Sequence, residues 1–403
     1  MKKNGIPESN IIHMSYDDVA NSSSNPYPGQ LFNKPTAKGT PGVDVYAGCN
    51  IDYKGADVTA ANLMSVLKGD SAAVGGKKVL KSTAESKVFF YFADHGAPGL
   101  VAMPAGPYLY ADQFHQTIQF MNENKMYDEM AIYMEACESG SMFENILEDN
   151  INVYAVSAAN SSESSWGTYC SPDDMVNGKS INSCLGDLFS VNWMEDTDAA
   201  DIAKETLQEQ FATVQKETTK SHVLQWGQTT FTSETLDQFE AGYTATPQKR
   251  SSWDKFYDFA GSVLGEVVEF QDESTIRKNE FAIDSRDIQL HYRYSNVMRN
   301  PTTENHQALA DEIAHRMKID KIFEEAFPAH METVKNGGKV LPTDFECYRN
   351  LMNKFEEKCE KLDDYSLKYA KALVAECEAL KAFPSAIDAT MHRLDKACKN
   401  PTA

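Results

Sequence analysis

Ala131-Ile132-Tyr133-Met134-Glu135-Ala136-Cys137-Glu138-Ser139-Gly140 is an apolar run that breaks abruptly into a small, polar, glycine-containing turn. Its aromatic and β-branched content predicts a short buried strand with one thiol delivered at its C-terminal edge. Open α/β sheets place their sites at that edge. An earlier run, Val88-Phe89-Phe90-Tyr91-Phe92-Ala93, ends the same way in Asp94-His95-Gly96. Two adjacent strands of this kind bring an imidazole beside a thiol, the minimum for thiol nucleophilic catalysis. Taken singly, each residue has a plainer reading: a strand-end Cys is commonly a small buried hydrophobe, and a strand-end His commonly satisfies a hydrogen bond. Their matched positions, with one helical pattern between them and small residues after each, favour the catalytic reading.

Working outward, Asn10–Tyr16 reads as a strand and 17–40, rich in Ser, Asn, Pro and Gly, as a long loop. Thr59 caps a helix whose apolar face is Leu63, Met64, Val66 and Leu67. Helices are expected over about 112–124, over Leu188–Met194 and from Ala199 to about Lys220, with further strands at Ile151–Ala158 and near Val223–Trp226. Alternating strands and helices predict an α/β fold with a largely parallel sheet covered on both faces. From Glu304 onward the pattern is helical, with Ala308, Leu309, Ile313 and Met317 expected on the buried face. The expected divisions are a front domain over 1–245, a linker over 246–300 and a small all-helical domain over 301–403.

The chain carries a formal net charge of −21. Residues 1–250 hold 17 basic and 32 acidic side chains, so most of the excess acid is in the front domain. That balance argues against nucleic acid and anionic membrane surfaces, both of which need basic patches. No run approaches the roughly 18–20 apolar residues of a membrane span. Eight cysteines, four of them in the last sixty or so positions, suggest disulfides and an oxidising compartment. Asn-X-Ser sequons at Asn21 and Asn160 agree with secretion.

Four stretches together resemble the legumains, the asparaginyl endopeptidases: Phe92-Ala93-Asp94-His95-Gly96; Glu135-Ala136-Cys137-Glu138-Ser139-Gly140-Ser141-Met142; Ala158-Ala159-Asn160 with Glu163-Ser164-Ser165; and Leu185-Gly186-Asp187 with Val191-Asn192-Trp193-Met194-Glu195-Asp196. The resemblance runs from about Gly5 to the end of the chain. It implies a caspase-like mainly parallel sheet and a death-domain-like helical prodomain that covers the site. It also implies a thiol protease that cuts after Asn and more slowly after Asp, is activated in acid, and can also join peptides. No metal or cofactor is called for. Peptides with Asn at the cleavage position, the chain's own prodomain and cystatin-type inhibitors are the implied partners; a lysosome, a vacuole or the secreted space is the implied location. Relative to legumains the chain starts late: a signal peptide, a first strand, and the segment bearing the Asn pocket's Arg and a His-orienting Asn would lie before Met1, which leaves an inactive, purely binding fragment as one rival. The GPI-anchor transamidase subunit, which shares the Cys–His core, is the other.

Residue by residue, the resemblance implies Cys137 as nucleophile, His95 as proton carrier and the Gly96 and Cys137 N–H groups as oxyanion hole, with Asp94 prone to succinimide formation. Glu135, Ser164 and Asp187 match the Asn-binding pocket; the carboxylates can accept from the amide NH₂ and Ser164 can do either. Cys170 and Cys184 flank a polar loop that a bridge would hold. Spacing leaves three pairings open for the tail cysteines, and the resemblance implies Cys347–Cys377 and Cys359–Cys398, with Cys49 free. If the tail sits on the acidic front, Arg277, Lys278, Arg286, Arg293 and Arg299 are the near candidates for its cationic contacts. Asn296 and Asn305 are the expected activation cuts, Asn300 being followed by Pro301.

Overall fold

A computed structural model of the chain describes residues 1–242 and 278–399. Its centre is a four-stranded sheet of β1 (Lys87–Ala93), β2 (Glu129–Glu135), β3 (Val153–Ser157) and, later in the chain, β6 (Leu224–Gly227). The order is β1-β2-β3-β6; the first three run parallel and β6 closes the edge antiparallel to β3. Strand β2 has strands on both sides and is buried from Met130 to Glu135, which explains its near-continuous apolar sequence.

The two-residue period of β2 sorts its side chains onto two cores. Met130, Ile132 and Met134 join a cluster with α1 (Ala60–Leu67) and α2 (Ala111–Glu123), through Leu63, Val66, Phe114 and Ile118. Ala131 and Tyr133 face the opposite cluster, where α3 (Leu188–Ala199) and α4 (Leu207–Glu217) contribute Phe189, Trp193, Leu207 and Val214. Thr59 caps α1 by accepting the Asn62 N–H. The helix expected over 199–220 is shorter than that: α3 runs on to Ala199, Ala200 is extended, and α4 starts only at a Thr206–Glu209 capping box. The strand expected at Asn10–Tyr16 shrinks to one parallel bridge, Met14 with Tyr53, while Ile12 and Met14 pack against the first core.

A second small sheet lies beyond the C-terminal edge of the first. Its middle strand β4 (Trp166–Thr168) pairs antiparallel with β5 (Gly186–Asp187) on one side and with β7 (Ile283–Asp284) on the other. The stretch expected as a linker thus holds a strand paired to the front half and, directly after it, the helix α5 (Ile288–Arg299). The part of that expectation covering 246–277 lies outside the described residues.

The tail helices α6 (Thr303–Ala326), α7 (Phe345–Lys358), α8 (Ala370–Leu380) and α9 (Ile387–Lys399) share one core, in which Phe323 stacks on Phe355 and Tyr369. Ala97, Leu100, Tyr108 and Tyr110 of the front half belong to the same cluster. The buried stripe of α6 is Arg316, Ile319, Ile322, Phe323 and Ala326 rather than the face expected; Ile313 and Met317 are 44% and 66% exposed, because Ile313 precedes the part of the helix that meets the core and Met317 lies off its buried stripe. Bridges join Cys170 to Cys184, Cys347 to Cys377 and Cys359 to Cys398. No described helix is long and apolar enough to cross a membrane.

Truncating Phe323 to Ala empties the centre of the tail core and is expected to cost about 3–5 kcal/mol. Thermal unfolding with proteolytic mapping checks this: the tail should become cleavable at a lower temperature than the central sheet.

Candidate active site

Ala93 of β1 lies opposite Glu135 of β2 in a parallel register. His95 and Cys137, each two residues further on, therefore leave the sheet side by side at its C-terminal edge. Gly96 makes this approach achievable: a Cβ there would sit 2.2 Å from the Cys137 carbonyl oxygen. Glu138 takes a left-handed conformation, φ 50°, and turns the chain into the short helix Ser139–Met142. Ser141 ties the two loops together, its hydroxyl donating to the Glu138 carbonyl at 2.6 Å and accepting the Gly99 N–H at 2.7 Å.

Cys137 is 2% exposed. The Ser165 N–H donates to its Sγ at 3.3 Å, and the Ser165 hydroxyl lies 3.6 Å away. Burial pushes the thiol up to about 11, with the nearby Arg286 guanidinium pulling in the opposite direction, so the covered site holds thiol rather than thiolate. The His95 Nε2 faces Asp364 Oδ1, a tail carboxylate, at 3.1 Å. The His95 N–H donates to Asp94 Oδ1 at 2.7 Å, placing next to the carboxyl the nitrogen that a succinimide ring would include. Burial raises the Asp94 carboxyl, against the pull of His95.

Glu135 and Asp187 are brought together, and Ser164 is not joined to them. One Glu135 oxygen accepts both the N–H and the hydroxyl of Ser190 at 2.9 Å; the other is buried without a partner among the described residues. The Tyr91 hydroxyl donates to Ser190 at 2.8 Å and fixes its orientation. Burial, then Asp187, drive the Glu135 carboxyl well above the usual range. Asp187 is itself pushed up to about 6 by burial, with Asp94 adding to the rise and His95 opposing it. Ser164 is half-buried in the loop before β4 and, among the described residues, makes no hydrogen bond to either carboxyl.

The tail lies across this edge. Strand β7 pairs with β4, and the pairing continues through the Ser285 N–H, which donates to the Ser165 carbonyl at 3.0 Å. Arg286, 6% exposed, then pairs with Glu138 and donates to the Gly96 carbonyl at 3.2 Å. From α8, Lys371 reaches the other Glu138 oxygen at 3.1 Å and the Ser162 carbonyl at 2.7 Å. Glu138, 1% exposed, is thus held between two buried tail cations. Of the cations expected at this contact, Lys278 meets Glu195 and Glu217, Arg286 meets Glu138, and Arg299 meets Asp174. Arg293 stacks on Tyr292 instead, and Arg277 lies outside the described residues. Lys371, Asp364, Ser190 and Ser165 escaped sequence reasoning; single polar residues in helices and serine-rich loops read as solvated surface.

Glu138→Gln leaves Arg286 and Lys371 buried around a neutral amide and is expected to loosen the tail by roughly 3–5 kcal/mol. Lys371→Met, which keeps the Arg286 partner, should cost less. Urea titration of each variant, followed by tail-specific proteolysis, gives the ranking.

The Peptidase C13 family model matches residues 1–324 and the legumain prodomain model matches residues 304–398. The chain is 36% identical to the vacuolar-processing enzyme delta-isozyme of Arabidopsis thaliana, over 94% of this chain and 80% of that protein. It is 33% identical to the vacuolar-processing enzyme beta-isozyme 1 of Oryza sativa subsp. indica, over 94% and 75%, and 32% identical to legumain of Canavalia ensiformis, over 94% and 79%. With matched thiol and imidazole loops at one sheet edge and a prodomain of the same family following them, the chain belongs to the peptidase C13 family and is a cysteine protease of the legumain, or asparaginyl endopeptidase, type.

Proposed function

We propose that the chain is the covered precursor of an endopeptidase that cuts after Asn, and more slowly after Asp, and is opened by acid. The observation that carries this reading is the pair of matched strand ends, His95 and Cys137, lying under a tail strand that follows the edge of β4. Once uncovered, the Cys137 sulfur attacks the scissile carbonyl carbon while its proton goes to His95. His95 then protonates the leaving amine, and water hydrolyses the resulting thioester. An incoming peptide amine in place of water gives ligation. The Gly96 and Cys137 N–H groups face the developing oxyanion, where one lost donor typically costs on the order of 2.7–4 kcal/mol.

The Asn side chain is assigned to Glu135 and Asp187, with Ser164 at the rim. The unpartnered Glu135 oxygen suits the amide NH₂. Because both carboxyls are raised, below about 6 Asp187 is neutral and adds an O–H donor for the amide C=O. These groups also favour the folded front half in acid: an acid whose folded pKa is raised adds a cost as pH climbs through that value.

Tail contacts respond with the opposite sign. Burial alone would raise Glu144, but the Lys339 ammonium and the Ser161 hydroxyl outweigh it and hold the carboxyl below its ordinary 4.5. Burial is likewise outweighed at Glu195 by Lys278, Tyr169 and Lys34. Carboxylates lowered in this way contribute stability that is complete above about 4.5 and lost as pH falls further. Asn296 and Asn305 sit inside α5 and α6, so cutting at either requires the helix to unwind; Asn300 lies exposed in the turn between them. An acidic vacuolar or lysosomal compartment is the setting that fits this behaviour.

Incubation of the full chain at pH 7 and at about pH 4, with an Asn-containing peptide and sequencing of new termini, tests the proposal. Turnover and tail release are expected only in acid, and neither in Cys137→Ser. Turnover by Cys137→Ser above a tenth of the parent rate, or release that is equal at both pH values, contradicts it.

A further inference from the structure

Ser165 stands where three parts of the molecule meet. It immediately precedes β4, is 4% exposed, and approaches the Cys137 sulfur with two groups, the N–H at 3.3 Å and the hydroxyl at 3.6 Å. On its other side it is engaged twice by the tail: its carbonyl accepts the Ser285 N–H at 3.0 Å, and the two hydroxyls lie 3.0 Å apart. A hydroxyl between a thiol and a second hydroxyl has one proton to give. With Ser285 alongside, that proton has an alternative acceptor; without it, the sulfur is the acceptor left in reach.

Sulfur needs such a donor. Burial raises the thiol, and the charged groups around it divide: Arg286 favours the thiolate, while Glu138 on the next residue and Asp284 on the tail strand oppose it. Arg286 lies on the segment that covers the sulfur, so it stands beside the thiol only while the site is covered. Among the described residues, both hydrogen-bond donors at the sulfur come from Ser165, which stays with the front half. We propose that Ser165 is a further catalytic residue: its N–H and hydroxyl hold the Cys137 sulfur as the nucleophilic thiolate, and Ser285 occupies that hydroxyl while the site is covered. The proposal rests on Cys137 being the nucleophile.

Alkylation of the full chain by iodoacetamide across a pH series, read by peptide mass at Cys137 with the exposed Cys49 as internal reference, tests it. Made in the Ser285→Ala chain, where the hydroxyl is freed for the sulfur, Ser165→Ala is expected to move the Cys137 midpoint up by about one pH unit, a tenfold loss of labelling at a fixed pH below the midpoint. Ser165→Thr in that chain should restore it, and Ser285→Ala alone, which breaks only the tail contact, should leave it in place or lower it. Cys49 should be unaffected throughout. An unmoved midpoint when Ser165→Ala is added, or an equal rise in Ser285→Ala alone, overturns the proposal; the second result assigns the effect to tail contact alone. Because the readout is thiol chemistry, turnover surviving in Cys137→Ser would sink the nucleophile assignment separately.

Discussion

A carboxylate buried one residue past the proposed nucleophile is the constraint around which the covered state is built. Glu138 cannot stay dry and ionised without countercharge, since the desolvation cost of an isolated ion is several kcal/mol. Its left-handed backbone aims it away from the central sheet, and the two cations that meet it, Arg286 and Lys371, come from separate parts of the tail. Arg316 extends the arrangement by pairing with Asp287 and donating to the Arg286 carbonyl at 3.1 Å. The side chain that demands the tail therefore sits in the same turn as the thiol the tail covers.

The parallel register of β1 and β2 gives this arrangement its chemical meaning. Parallel neighbours end at the same edge, so two chain segments some forty residues apart deliver His95 and Cys137 together without any long-range search for side-chain geometry. The same edge collects Asp94, Glu135 and Asp187, whose carboxyls are all raised, by burial first and, at Glu135 and Asp187, by a neighbouring carboxylate of this group. On the proposed reading, front and tail respond to acid in opposite directions. The pocket is relieved by protonation, while the ion pairs that hold the tail are weakened by it.

Much of this was legible in the sequence, for identifiable reasons. The strand–turn units at Ala93 and Glu135 announce themselves because an apolar run broken by a glycine turn has few other readings, and the Thr59 cap of α1 follows from side-chain chemistry alone. Asn10–Tyr16 has strand-like composition but finds only one bridge partner, and a strand exists only through its neighbours. On α6, Ile313 and Met317 have the spacing of a buried face yet stand in solvent, because periodicity cannot tell which part or which face of a 24-residue helix meets the core. Strand β7 is two residues long and carries no period at all. Lys371 and Asp364 matter through what they touch, and Ser165 is one serine among several; nothing in their local sequence separates them from surface.

The central claim is that residues 283–286 occupy the course a substrate takes along β4, so that substrate and tail exclude each other. Hydrogen exchange at the Ser285 amide, bonded to the Ser165 carbonyl, measures this directly in the full chain before and after Cys137 reacts with a small Asn-mimicking thiol reagent. The account predicts strong protection of Ser285 in the covered chain and its loss once the reagent is bound. Full protection persisting with Cys137 modified would contradict it, because strand and ligand would then share the edge.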